Sequence, residues 1–89
     1  MNDIVISLCG HDEGKYYVLL YEKDGYGYLV DGKRKTLNSP KKKKLKHIKH
    51  TGEAIDLTKY NPLYDAHILK EVRSLLKKRR LLPWLKKMY

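Results

Sequence analysis

Apolar residues recur at two different periods along the chain, and the change of period divides it. In DIVISLCG, residues 3–10, Ile4, Ile6 and Leu8 alternate with Val5, Ser7 and Cys9, the period of two that a short strand requires. GHDEG then brackets polar residues with glycines and reads as a turn. KYYVLLYEK, residues 15–23, is rich in aromatic and β-branched residues, lacks a helix cap and reads as a second strand. Asp24-Gly25 is a strong hairpin signal; YGYLV, residues 26–30, runs on to a second such pair, Asp31-Gly32, and KRKTL, residues 33–37, is expected to be a short fourth strand. LKHIKH, residues 45–50, supplies the fifth, although Leu45 and Ile48 lie three apart and do not suit strict alternation.

From Asp65 the period lengthens. Ile68, Leu69, Val72, Leu75 and Leu76 follow the i, i+1, i+4, i+7, i+8 pattern of one helical face. Asn61-Pro62 disfavours helix at the residue before the proline, and either Asn61 or Asp65 can cap the start. Pro83 is expected to stop or kink the helix, leaving WLKKMY as a basic, aromatic end that frays. The predicted organisation is a β domain over residues 1–52, a connector over 53–64 and a basic helix with its tail over 65–89. Five short strands joined by tight turns cannot bury both faces of a flat sheet, so the β part is expected to curl into a small barrel.

Composition adjusts this picture. The 89 residues allow one compact domain with an appendage, and 42 % hydrophobic content is enough for a folded core. With no Phe and one Trp, the eight tyrosines carry most of the aromatic surface, and their hydroxyls favour the rim of the core. Cys9 is the one cysteine, which excludes an internal disulfide and fits a reducing cytosol. The N-terminal MNDIVISLCGHDEG has an early acid and a short apolar run, and reads as neither a signal peptide nor a membrane span.

Charge changes the picture most. Residues 1–31 carry a net −4, residues 32–50 a net +9 with no acid, and residues 51–89 a net +5. Bunched positive charge repels itself, and a polyanion relieves that repulsion most directly. Within NSPKKKKLKHIKH, residues 38–50, Leu45 and Ile48 are placed to pin the lysine-rich stretch to the β scaffold, where a disordered run would be wholly polar. Lysine suits phosphate without base preference, so the expected recognition is of backbone and shape.

Three motifs occur in a telling order: IVISLCGHDEGKYYVLL with its turn glycine Gly14, the DG-x-R-K segment Asp31, Gly32, Arg34 and Lys35, and the lysine-histidine run from Pro40. Together, over roughly residues 3–52, they resemble the small bacterial KOW-domain RNA-binding proteins, which are similar to KOW-containing ribosomal proteins of archaea and eukaryotes. The resemblance implies an SH3-like five-stranded barrel that binds structured RNA, with ribosomal RNA the expected class, in a role accessory to translation. The expected contacts are Gly14, Lys15, Lys33, Arg34, Lys35, Lys41, Lys42, Lys43, Lys44, Lys46, His47 and Lys49. Ribosomal proteins are further candidate partners; a cytoplasmic monomer, ribosome-associated at times, is expected. The alternative is a protein-interaction module that docks on ribosome- or transcription-associated proteins through the acidic segment 1–31.

Other chemistries fit less well. Cys9, His11, His47 and His50 could supply four zinc ligands, yet no paired-cysteine knuckle is present and the surrounding lysines disfavour a dication, so no metal or other cofactor is expected. Tyr16, Tyr26 and Tyr28 could stack on unpaired bases, but packing on a strand face is the expected role of most of them. A cationic helix bearing Trp84 could lie on an anionic membrane; Asp65, Glu71 and Pro83 argue against a long interfacial helix. Ser7, Ser39 and Ser74 lack a nucleophile-elbow context and Asp12 and Glu13 adjoin in one turn, so no enzyme is expected.

Overall fold

A computed structural model describes the backbone of residues 1–88 and the side chains of residues 1–78. Five antiparallel strands form one open sheet: β1 (Asn2–Ser7), β2 (Tyr16–Lys23), β3 (Tyr26–Val30), β4 (Lys41–Lys44) and β5 (Ile48–Ile55), in the order β4-β3-β2-β1-β5. A single 3-10 turn, Leu45–His47, joins β4 to β5, and α1 (Asp65–Met88) follows the connector.

Four details correct the sequence reading. KRKTL is a loop, because the Asp31 carboxylate takes the N–H groups of Lys33, Arg34 and Lys35, each at 2.9 Å, which a strand would offer to a neighbour. The fourth strand is the lysine run itself, paired along its whole length with β3. The fifth begins at Ile48 and passes through Gly52 to Ile55, beyond the expected boundary at residue 52, while Leu45–His47 forms the 3-10 turn. Gly52, at φ +85°, stands where the register between β1 and β5 shifts, and so belongs to a bulge within the strand. The helix also continues past Pro83 to Met88; proline withdraws one backbone donor and need not end the element. The side chains of the basic end, residues 79–89, including Trp84, lie outside the described residues.

Alternation sends apolar residues to both faces of the sheet, and each face has its own core. Ile4, Val18, Val30 and Ile55 meet Ile68, Val72 and Leu75 of α1, so the predicted helical face is the one that is buried. On the other face Val5, Tyr17, Leu19, Leu29 and Ile48 form a second cluster, with Leu45 against it. The sheet curls around that second cluster: a Cβ placed on Gly27 of β3 would lie 3.1 Å from Ile48 Cδ1 of β5, although two strands separate them in the sheet. The curl does not close into the expected barrel, because β4 is spent on β3 and its outer edge meets no strand.

Side chains tie β4 to the β1–β2 turn. Asp12, from the β1–β2 turn, is buried, and its Oδ1 accepts from Ser7 Oγ at 2.9 Å and from Lys43 Nζ at 3.0 Å. Lys43 Nζ also donates to the Cys9 carbonyl at 2.8 Å. The connector is fastened in a similar way, with Lys59 Nζ 2.7 Å from Glu71 Oε1 of α1 and the Tyr60 hydroxyl donating to the same oxygen at 2.5 Å.

Candidate nucleic-acid interface

Four lysines in succession look equivalent in sequence, but a strand sorts them by parity. Lys41 pairs with Leu29 and Lys43 with Gly27, so both turn towards the inner core. There Lys43 holds Asp12 and Lys41 Nζ lies 3.4 Å from Asp12 Oδ2. That oxygen is buried and has no hydrogen-bond partner, so Lys41 acts on it through charge alone. Burial pushes the Asp12 carboxyl up, and the hydrogen bonds from Lys43 and Ser7 with the two lysine charges outweigh it, holding the group well below the usual carboxylate range. Burial, with Asp12 next to it, pushes the Tyr17 phenol up to about 12. Lys43 is therefore a structural lysine, and Lys41 is half engaged.

Lys42 and Lys44 point the other way and are exposed. Lys46 on the 3-10 turn and Lys49 on β5 are exposed as well, and His47 is half-buried. Lys33, Arg34, Lys42, Lys44, Lys46 and Lys49 have no acidic partner within ion-pair distance among the described residues. The predicted contacts thus divide into an outer set with unpaired charge and an inner pair held by Asp12.

A second grouping comes from the loops. Gly14, Lys15 and Lys33 line a cleft of about 740 Å³ whose other wall is Leu69, Val72, Arg73 and Leu76 of α1. A smaller recess of about 280 Å³, also touching Lys15, is lined by His11, Asp12, Tyr17, Arg34, Lys35 and Lys41. Lys15 is common to both, and the Asp31 loop feeds Lys33 to one and Arg34 and Lys35 to the other. The structure therefore brings Gly14, Lys15, Lys33, Arg34 and Lys35 together, and leaves Lys46 and Lys49 outside these clefts. It adds Arg73, an exposed cation of α1 on the cleft wall. Gly14 has φ +83° with open space where a side chain would stand, so the turn conformation explains the glycine without any crowding.

The histidine and cysteine residues do not converge. His50 Nδ1 pairs with Asp3 Oδ2 at 3.0 Å, on the far side of β1 from the lysine run, and no group of three or more metal-ligating side chains occurs among the described residues. Nor is any described helix long and apolar enough to cross a membrane.

Compared with known proteins, the chain matches no family model and no curated sequence, so the functional reading rests on its own residues.

Proposed function

We propose that this protein binds structured RNA, ribosomal RNA being the first candidate, through contacts to phosphate, and that it serves as an accessory to translation in the manner of the KOW-domain proteins it resembles. The observation that carries the proposal is the set of six exposed cations, Lys33, Arg34, Lys42, Lys44, Lys46 and Lys49, standing unpaired on a stretch without a single acid. A folded chain that leaves so many like charges unneutralised gains most from a polyanion. Two features support the SH3-like part of the reading: the meander β1 to β4 with β5 returning beside β1, and the single 3-10 turn between β4 and β5.

Docking to protein through the acidic segment finds less support. Of its six acids, Asp3 is bonded to His50, Asp12 is buried beneath two lysines and Asp31 is committed to its own loop.

Replacing Lys33, Arg34, Lys46 and Lys49 together by Ala is expected to weaken binding to a folded RNA by about ten- to a hundredfold, alike for unrelated sequences, with the fold intact. Fluorescence anisotropy against two unrelated hairpins measures this. Unchanged affinity would remove these residues from the site.

A further inference from the structure

The register of the sheet arranges a second surface, which shares Lys42 and Lys44 with the phosphate contacts and adds aromatic rings to them. Across β2, β3 and β4, Tyr21 pairs with Tyr28 and Tyr28 with Lys42; one rung further, Lys23 pairs with Tyr26 and Tyr26 with Lys44. Partners directly across a sheet share a face, and so do residues two apart on a strand, so these six side chains form one patch on the outer side. The Tyr21 and Tyr28 rings are stacked, 4.5 Å between centroids and 13° between planes, and Lys42 Nζ stands 4.4 Å from the centre of the Tyr26 ring. None of the three tyrosines belongs to either core cluster, and Tyr21 is 51 % exposed. Glu22, between Tyr21 and Lys23, pairs with Gly27 and so belongs to the opposite face.

We propose that this patch is a stacking platform for unpaired bases of the RNA, an assignment that rests on the RNA-binding reading above. Aromatic faces offer π surface to any base, and Lys23, Lys42 and Lys44 around them are placed for the phosphates on either side of a stacked nucleotide. None of the three lysines has an acidic partner among the described residues. A continuous duplex keeps its base faces inside the helix and gains nothing from the tyrosines. The protein accordingly prefers a hairpin with an open loop to a duplex of equal charge. A role confined to cross-strand packing of the hairpin would make no such distinction.

The test compares the whole protein on two RNAs with the same number of phosphates, a hairpin with an unpaired loop and a blunt duplex. The Tyr21→Leu/Tyr28→Leu variant is expected to lose about tenfold in affinity for the hairpin and none for the duplex, as stacking on one base is worth about 1–3 kcal/mol. Tyr21→Phe/Tyr28→Phe, which keeps the rings, should bind both as the unaltered protein does. Should the leucine variant fail to fold, photocrosslinking the unaltered protein to a hairpin carrying 4-thiouridine in its loop decides: adducts are expected on Tyr21, Tyr26 or Tyr28. Equal loss on both RNAs, no loss on the hairpin, or adducts confined to other residues would overturn the platform and leave the phosphate site standing. Absence of binding to either RNA by the unaltered protein would remove both proposals.

Discussion

Gly32→Ala is expected to lower the stability of the fold by about 3 kcal/mol, combining about 1–2 kcal/mol for a left-handed alanine with the cost of overpacking. Gly32 has φ +81°, and an added Cβ would lie 2.4 Å from the Asp65 carbonyl oxygen and 2.6 Å from the Leu69 nitrogen. Both are backbone atoms of α1, which no rotamer change can move. The helix start would have to lift away, loosening the bond from the Leu37 N–H to Asp65 Oδ1 at 2.8 Å and the packing of Ile68 on Val30. In a domain of this size the loss amounts to a fall in Tm of more than about 12 °C, read by thermal unfolding. Gly25→Ala is the matched control, because its φ of +81° is the same while nothing lies within 4 Å of its added Cβ. An equal fall in both variants would show that strain alone, and not helix docking, sets the requirement for glycine at position 32.

Lys43→Ala is expected to cost about 3 kcal/mol, the usual penalty for removing one partner of a buried ion pair. Asp12 is 7 % exposed, and without Lys43 its Oδ1 would keep only the Ser7 hydroxyl. Lys44→Ala, one position along the same strand, removes an exposed and unpaired charge and should stay within about 0.5 kcal/mol. Urea denaturation of the two variants measures the contrast; equal midpoints would deny the latch. Its pH dependence has a definite sign. The folded carboxyl lies below its ordinary value, so the stabilisation is present above the unfolded pKa of about 3.9 and is lost as pH falls towards the folded one. The stability gap between the natural protein and Lys43→Ala should therefore narrow on acidification below about pH 4.

The parts of the fold that follow from local rules were legible in the sequence. Alternation found β1, aromatic and β-branched composition found β2, the Asp24-Gly25 pair found the β2–β3 hairpin, and the helical spacing named Ile68, Val72 and Leu75, which are buried against the sheet. What escaped depends on partners distant in the chain. Four identical lysines carry no hydrophobic alternation, so only the pairing of β4 with β3 separates Lys41 and Lys43 from Lys42 and Lys44. The side-chain bonds of Asp31 that turn KRKTL into a loop, and the bulge at Gly52, are likewise invisible to a period of two. The same holds for the candidate site. Its basic stretch was evident, whereas the inward turn of Lys43, the place of Arg73 on the cleft wall and the tyrosine rung of β2 required the register. Asp12 could have been suspected from sequence: a carboxylate in a turn, on a chain with a run of lysines, is the natural counterion for whichever of them faces inward.

The lysine run has two duties, one in holding the sheet together and one in meeting a polyanion, and salt weakens the second far more than the first. The most direct measurement is the affinity for a folded RNA across a series of monovalent salt concentrations. With six unpaired cations meeting phosphates, at about 0.7–0.9 counterions released for each, the logarithm of the association constant should fall against that of salt with a slope of about −4 to −5. A slope shallower than about −2, with the protein folded throughout, would contradict a phosphate-binding array on this sheet.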